Sequence, residues 1–159
     1  MSEGQTDTPY QGGFAEGEHR FALRVYFEDT DAAGIVYYAN YLKYMERARS
    51  DMLRAIGIDQ RAALDGGEGV YVVAEAHIKY RGSARLEDAL VVVSHLTDLR
   101  AASATIHQRV MRGKELLADA TIVAAFLSPD GRPKRQPKAW LDLFRPLLRR
   151  EVEVEEERR

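Results

Sequence analysis

One change in hydrophobic period, between residues 21 and 56, constrains the fold of this chain more than any other feature. Phe21, Leu23, Val25 and Phe27 recur in steps of two, which predicts a β-strand with one buried face. The acidic, glycine-containing segment 28–34 interrupts this pattern and predicts a loop. Directly after the loop the apolar residues take up helical spacing, so the chain must pass from a strand through a short loop into a helix.

The predicted helix has a broad apolar face and ends at Gly57, a natural C-terminal stop. Its start is open, because the chain can turn at residues 36–38 or Asn40 can cap a later start. Two sets of residues define its sides: Tyr41, Met45, Ala48, Met52 and Ile56, widened by Leu42 and Leu53, on the apolar face, and Lys43, Glu46, Arg47 and Asp51 mostly on the others.

Four strand-like runs follow an irregular, glycine-rich connection at residues 58–68. A proline-rich basic loop then leads to a short terminal helix around residues 140–147. Because one long helix is segregated from a succession of antiparallel strands, the order predicts an α+β fold in which the helix packs on a sheet. The four runs are residues 70–81, 88–98, 103–112 and 115–127.

Both ends of the chain are polar. We predict a disordered N-terminal tail at residues 1–18, one domain at 19–148 and a charged C-terminal tail at 149–159. The net charge of −2 argues against a nucleic-acid-binding protein, and the absence of cysteine excludes disulfides, thiolate metal sites and cysteine nucleophiles. No apolar run approaches the roughly 18 residues of a membrane span, and the N-terminus is unlike a secretory signal, so we expect a cytoplasmic protein.

The order of loop and helix places Asp31 a few residues before a helix N-terminus. Such a terminus carries free backbone N–H groups and a partial positive charge, so it can hold a developing oxyanion. A carboxylate base beside an oxyanion site is the minimum apparatus for hydrolysis by acyl transfer. The alternative is structural, because Asp29 and Asp31 can also cap the following helix.

Residues 26–49, YFEDTDAAGIVYYANYLKYMERAR, resemble the signature of the hotdog-fold acyl-CoA thioesterases. The resemblance is greatest to the branch that contains 4-hydroxybenzoyl-CoA thioesterase and the thioesterase of the Tol-Pal gene cluster, and it covers roughly residues 20–130. It implies hydrolysis of an acyl-CoA and a hotdog fold, in which a five-stranded antiparallel sheet wraps around one long central helix. It also implies active sites at a subunit interface, in homodimers that pair edge to edge and commonly form homotetramers.

The same resemblance assigns roles to individual residues. The catalytic acid falls on Asp31, as base or as nucleophile, and the oxyanion donor on the backbone N–H of Tyr38. Position 38 is a departure from the Tol-Pal branch, which usually has histidine there, and agrees with the 4-hydroxybenzoyl branch, which has tyrosine. Glu46 can alternatively pair with a neighbouring arginine on the helix surface, and the tyrosines can be packing residues. Substrate contacts are expected from Gly34, Val36, Tyr37, Tyr41 and Glu46.

Coenzyme A carries phosphates, so its binding site needs lysine, arginine or backbone donors near an end of the sheet. Two strand turns and the late basic loop offer such groups, although each can also be an ordinary solvated turn residue. The candidates for binding coenzyme A are Arg81, Ser83, Arg85, Arg100, Ser103, Lys134 and Arg135.

Two other functions fit the fold. A hotdog dehydratase or hydratase uses a histidine in a different motif, and no histidine lies within residues 25–53. A non-catalytic acyl-CoA-binding or scaffold protein would have a ruined site or a DNA-binding segment, whereas Asp31 is present. We predict no metal and no cofactor besides the coenzyme A of the substrate, since the histidines lack metal-ligand spacing: His19, His77, His95 and His107. Three of them, His77, His95 and His107, lie in predicted strands, where we expect polar-face or interface positions.

Overall fold

The computed structural model of the protein describes residues 6–149. Within this range six antiparallel strands form one sheet in the order β1-β2-β4-β5-β6-β3. The strands are β1 (Gly13–Ala15), β2 (Glu18–Arg24), β3 (Val70–Tyr80), β4 (Ala89–Leu99), β5 (Ser103–Arg112) and β6 (Glu115–Leu127). The helices are α1 (Asn40–Ala55), α2 (Gln60–Asp65) and α3 (Lys138–Phe144), with 3-10 turns at Phe27–Asp29 and Arg145–Leu147.

Helix α1 packs across one face of the sheet, as its apolar spacing predicts. Tyr41, Tyr44, Met45 and Ala48 are buried against alternate residues of β4, β5 and β6. Burial of each large apolar side chain contributes about 1.5–3 kcal/mol, so this helical face is the main reason for the layered arrangement. The hotdog fold expected from the resemblance is therefore present.

The two ends of α1 have identifiable causes. The helix begins at Asn40, close to the later of the two predicted starts, but Ala39 and not Asn40 is its N-cap residue. The helix does not extend back to Val36, which donates its N–H to the carbonyl oxygen of Ala84 at 2.9 Å and forms a bridge with Thr30. After the last turn the chain reverses at Gly57, whose φ of +96° lies in the left-handed region that favours glycine.

Three expectations need correction. The sheet has six strands rather than five, because β1 pairs with β2 through the register Phe14–His19. Since β1 lies at Gly13–Ala15, the last part of the predicted N-terminal tail belongs to the sheet. The connection at 58–68 is not wholly irregular, because Asp59 accepts the N–H of Ala62 and caps α2. Residues 1–5 and 150–159, including most of the predicted C-terminal tail, lie outside the described residues.

Among residues 6–149, no helix combines the length and apolarity needed to cross a bilayer.

Candidate active site

The acidic loop between β2 and α1 is built on Asp29. Its carboxylate accepts the backbone N–H of Tyr26 at 2.8 Å and so caps its own 3-10 turn rather than α1. Its carbonyl oxygen accepts the side-chain amide of Asn40 at 2.8 Å and the N–H of Tyr37 at 3.0 Å. Asp29 therefore joins the loop to the first residue of α1, which is a structural role.

Asp31 differs from Asp29 because its side chain is exposed. One carboxylate oxygen accepts the N–H of Ala33 at 2.8 Å, and the backbone N–H of Asp31 donates to the carbonyl oxygen of Ile35 at 2.9 Å. Gly34 closes this small loop at a φ of +78°. Asp31 has no ion-pair partner among the described residues, so its charge is free to act on a substrate or a water molecule.

The entrance to α1 has unused backbone donors. Asn40 donates its N–H to the carbonyl oxygen of Tyr37 at 2.8 Å, whereas the N–H groups of Tyr38 and Ala39 bond to no residue that the structure describes. These donors lie at the positive end of the helix dipole, where an oxyanion is stabilised. The side chains of Tyr37 and Tyr38 are exposed, with ring centroids 4.9 Å apart, and a hydrogen bond with Tyr38 raises the pKa of Tyr37.

The loop between β3 and β4 is hydrogen-bonded to the acidic loop. Besides the bond from Val36 to Ala84, the N–H of Leu86 donates to the carbonyl oxygen of Gly34 at 3.4 Å. Ala84 is buried and donates its own N–H to the hydroxyl oxygen of Tyr41 at 3.0 Å. Tyr41 is thus a buried residue with a hydroxyl committed to the protein, and Val36 is buried beside it. Nothing in the sequence marked Ala84 as part of this site.

A cavity of about 280 Å³ lies between the second half of α1 and the sheet. The exposed Glu46 lies at its wall, as does Arg49, which donates to the buried side chain of Gln108 at 2.9 Å. Burial lowers the pKa of Arg49, and the charge of Glu46 opposes this shift. Apolar residues supply most of the remaining lining, among them Met52, Leu53, Val73, Ile106, Ala124 and Phe144.

Within one chain this cavity is remote from Asp31. Its helical lining runs from Glu46 to Leu53, which is about 9–20 Å along the axis from Asn40 at 1.5 Å per residue. The residues of the edge strand β3 also show that the cavity is far from the entrance of α1. Tyr80 at its C-terminal end contacts Tyr38 with ring centroids 5.9 Å apart, whereas the cavity is lined by residues 71–73 at the other end.

The candidates for binding coenzyme A form two groups at opposite ends of the sheet. Gln136 donates its N–H to the carbonyl oxygen of Ala101, which places Lys134 and Arg135 beside the turn that holds Arg100 and Ser103. The other three candidates, Arg81, Ser83 and Arg85, follow the C-terminal end of β3.

Some of these cations have partners within the chain. Arg81 pairs with Asp119 at 2.6 Å and Arg100 with Asp98 at 3.0 Å. Lys134 donates to the carbonyl oxygen of Glu68. One chain therefore does not assemble all seven candidates into a single site, and their role stays a prediction.

One buried pair of polar residues was not predicted from the sequence. His19 is fully buried and donates Nε2–H to the carboxylate of Asp51 at 2.7 Å. The helical pattern placed Asp51 on a polar side of α1, and no burial was predicted for His19. The expectation for Asp51 is wrong, because its side chain is buried. No local signal could have paired residues that are 32 positions apart. Among residues 6–149, no cluster of three or more histidines, aspartates and glutamates could hold a metal ion.

The chain is similar to known thioesterases over most of its length. A family model described as the thioesterase-like superfamily matches residues 25–151. The acyl-CoA thioesterase YbgC of Haemophilus influenzae is 39% identical over 105 residues, covering 66% of this chain and 77% of that protein. The acyl-CoA thioester hydrolase YbgC of Escherichia coli O6:H1 is 34% identical over 128 residues, covering 79% of this chain and 95% of that protein.

A solved structure agrees with these relatives. The crystal structure of a probable thioesterase from Bartonella henselae superposes with a TM-score of 0.72 at 31% identity, covering 76% of this chain and 99% of that one. The family model spans far more than half of the chain, and the predicted resemblance is confirmed. This chain belongs to the thioesterase-like superfamily.

Proposed function

We propose that this protein hydrolyses an acyl-CoA thioester to a free acid and coenzyme A, with Asp31 and the backbone N–H of Tyr38 as its reacting groups. The observation that carries the proposal is the arrangement at the entrance of α1. An exposed carboxylate without an ion-pair partner among the described residues precedes a helix start at which Tyr38 and Ala39 have unused N–H groups. The relatives named as acyl-CoA thioesterases support the substrate class.

The chemistry requires few groups. The thioester carbonyl oxygen accepts the N–H of Tyr38, which stabilises the charge that develops on that oxygen. Asp31 either takes a proton from water as the water attacks, or attacks the carbonyl carbon itself to give a mixed anhydride that water then hydrolyses. In both routes the C–S bond breaks, a C–O bond forms, and the coenzyme A thiolate receives a proton. We propose no cofactor, because coenzyme A is part of the substrate.

The edge strand β3 supports a homodimer. It is the last strand of the sheet among the described residues, and nine of its eleven residues are exposed on a single chain. Val70, Val72, Val73 and Tyr80 form part of this exposed surface. A long apolar edge of this kind invites pairing with another strand. We propose that β3 pairs antiparallel with β3 of a second copy, about a twofold axis near the middle of the strand.

This pairing would bring the cavity of one subunit close to the acidic loop of the other, whereas the two are far apart within a single chain. From Val72 to Tyr80 the strand extends about 27 Å, at about 3.4 Å per residue. Reversal of the second strand would bring the partner subunit's Tyr80, and with it that subunit's Tyr38 and Asp31, near this chain's cavity. The acyl group would then lie in the cavity of one subunit while the thioester lies at the loop of the other.

The same reversal would unite the coenzyme A candidates. Arg81, Ser83 and Arg85 of one subunit would approach Arg100, Ser103, Lys134 and Arg135 of the other, where cations and backbone donors could bind phosphates. We further propose that two such dimers form a homotetramer and that the protein acts in the cytoplasm. A chain without cysteine is compatible with a reducing compartment.

Subunit complementation tests the shared site. Asp31→Asn removes the acid, and Ser50→Trp fills the cavity that Ser50 lines, so each homodimer should lose most hydrolysis of an acyl-CoA panel measured by free thiol. In a co-expressed mixture, half the dimers would be mixed, and each would combine one intact Asp31 with one open cavity. Random pairing of twofold dimers therefore predicts recovery of about a quarter of wild-type activity.

The controls separate two kinds of failure. Wild-type protein without turnover on any acyl-CoA would reject the hydrolase assignment and leave a binding or scaffold role. Active wild type with no recovery in the mixture would place the acid and the cavity of each site in the same subunit. Circular dichroism of each variant shows that the fold is retained.

A further inference from the structure

The relative position of two chemical groups at the proposed site depends on contacts outside both. Asp31 belongs to an exposed loop, and the free donor of Tyr38 belongs to the entrance of α1. A general base and an oxyanion donor must be held in a defined geometry, since a displacement of about 1 Å can cost roughly 10²-fold in rate. The inference below rests on the proposed function of these two groups.

A short chain of hydrogen bonds crosses from the helix to the acidic loop. The hydroxyl oxygen of Tyr41, the second residue of α1, accepts the N–H of Ala84 at 3.0 Å. The carbonyl oxygen of Ala84 accepts the N–H of Val36 at 2.9 Å, and Ile35 is bridged to Arg85. The carbonyl oxygen of Ile35 in turn accepts the N–H of Asp31 at 2.9 Å.

The hydrogen bond between Tyr41 and Ala84 fixes the position of the β3–β4 loop relative to α1. Tyr41 and Ala84 are both buried, so no water can replace the hydroxyl as acceptor for the Ala84 N–H without opening the core. The ring of Tyr41 is held by Tyr44 and Tyr80, with centroids 6.1 and 5.7 Å away. Its hydroxyl therefore has a fixed position. The β3–β4 loop is hydrogen-bonded to this hydroxyl, and the acidic loop is hydrogen-bonded to the β3–β4 loop.

We propose that Tyr41 is a positioning residue for hydrolysis: through Ala84 and Val36 its hydroxyl holds the Asp31 loop in register with the N-terminus of α1. Tyr41 does not touch the thioester in this account. This assignment replaces the direct substrate contact expected from the sequence, because the hydroxyl already has a buried protein partner.

The chain provides a matched control one turn further along the helix. Tyr44 is also fully buried and packs against Tyr41, and burial and the nearby carboxylate of Asp29 raise the pKa of its hydroxyl. Tyr41→Phe and Tyr44→Phe each remove one buried hydroxyl from the same helical face. Only the first removes an acceptor from Ala84.

Steady-state kinetics on the best acyl-CoA substrate of the wild type should separate the two variants. We expect Y41F to lower kcat by about 10- to 100-fold with KM changed by less than about threefold, and Y44F to lower kcat by less than Y41F does, because Tyr44 makes no bond to Ala84. A kcat of Y41F within about twofold of wild type would overturn the proposal. If Y41F folds poorly, amide hydrogen exchange decides: faster exchange confined to residues 31–36 and 84–86 supports positioning, and faster exchange throughout α1 overturns it.

A double-mutant cycle with Asp31→Asn distinguishes positioning from general weakening of the enzyme. If Tyr41 acts by placing Asp31, then Y41F should cost almost nothing further in the Asp31→Asn background. A full additional 10- to 100-fold loss in that background would contradict the proposal. Failure of the proposed function is distinguishable, because the wild type itself would then be inactive.

Discussion

Two aspartates in the same strand–loop–helix segment have opposite surroundings. Asp31 is exposed, and its only hydrogen-bond donor among the described residues is the N–H of Ala33, two positions away. Asp51 is 4% exposed and accepts Nε2–H of His19 at 2.7 Å and the N–H of Gly12 at 3.0 Å. A burial difference of this size separates a carboxylate that can react from one that holds the fold together.

The physical reason is desolvation. A buried carboxylate is tolerated only where hydrogen bonds replace its water, and Asp51 obtains both of these donors from the N-terminal hairpin. The pair therefore attaches β1 and β2 to α1. Asp31 is exposed to solvent and has no such partner among the described residues. Little folding energy therefore depends on it, and its charge remains available for chemistry.

The largest expected effect is on catalysis at Asp31. Asp31→Asn preserves the size of the side chain but removes the base, so we expect turnover to fall by about 10²–10⁴-fold with an unchanged Tm. Acyl-CoA hydrolysis and thermal unfolding measure the two quantities. Full activity of this variant would end the catalytic assignment.

Asp51→Ala should show the opposite profile. Removal of the carboxylate leaves a buried His19 and the N–H of Gly12 without an acceptor, which we expect to reduce the free energy of unfolding by about 1–3 kcal/mol for each unsatisfied donor. The variant should still turn over substrate at temperatures where it is folded. Chemical denaturation provides the stability, and an Asp51 variant with wild-type stability would remove the distinction between the two aspartates.

Gly12→Ala tests the same contact between the N-terminal hairpin and Asp51, with the change made in the hairpin. A Cβ at this position would lie 2.2 Å from the carbonyl oxygen of Arg20 and 2.9 Å from a carboxylate oxygen of Asp51. The hairpin must shift, so we expect a loss of stability of about 1–3 kcal/mol, smaller than that of Asp51→Ala. Gly13→Ala is the control, because a Cβ there meets no atom within 4 Å.

The smallest effect is a pH dependence of stability. Burial lowers the pKa of His19 from its ordinary 6.5, although the hydrogen bond and charge of Asp51 oppose this shift. As the pH falls, the unfolded chain binds a proton at His19 before the folded chain does. This contribution to stability is therefore complete above about pH 6.5 and is lost as the pH falls through the folded pKa. Comparison of wild type with His19→Gln in denaturant titrations from pH 8 to 5 should show a weaker dependence in the variant.

Much of the fold follows from local pattern. The alternation of residues 103–112 and 115–127 predicted β5 and β6 with their observed bounds, Ser103–Arg112 and Glu115–Leu127. The period of α1 predicted its buried face, from Tyr41 to Met52. Leu42 was expected on that face but is exposed, because the sheet covers a narrower part of the helix than its apolar residues occupy. Strand β1 was missed because three residues that include Gly13 carry no alternation.

By itself the sequence determined the family, the order of the main elements and the acidic loop that leads into α1, because these depend on residues close together in the chain. The tertiary structure decided which polar groups meet: His19 with Asp51, Tyr41 with Ala84, and Arg49 with Gln108. These partners lie 32, 43 and 59 positions apart. Such pairings have no local signature, since the energy of a buried hydrogen bond depends on which surfaces exclude water, and that is settled only when the helix lies on the sheet.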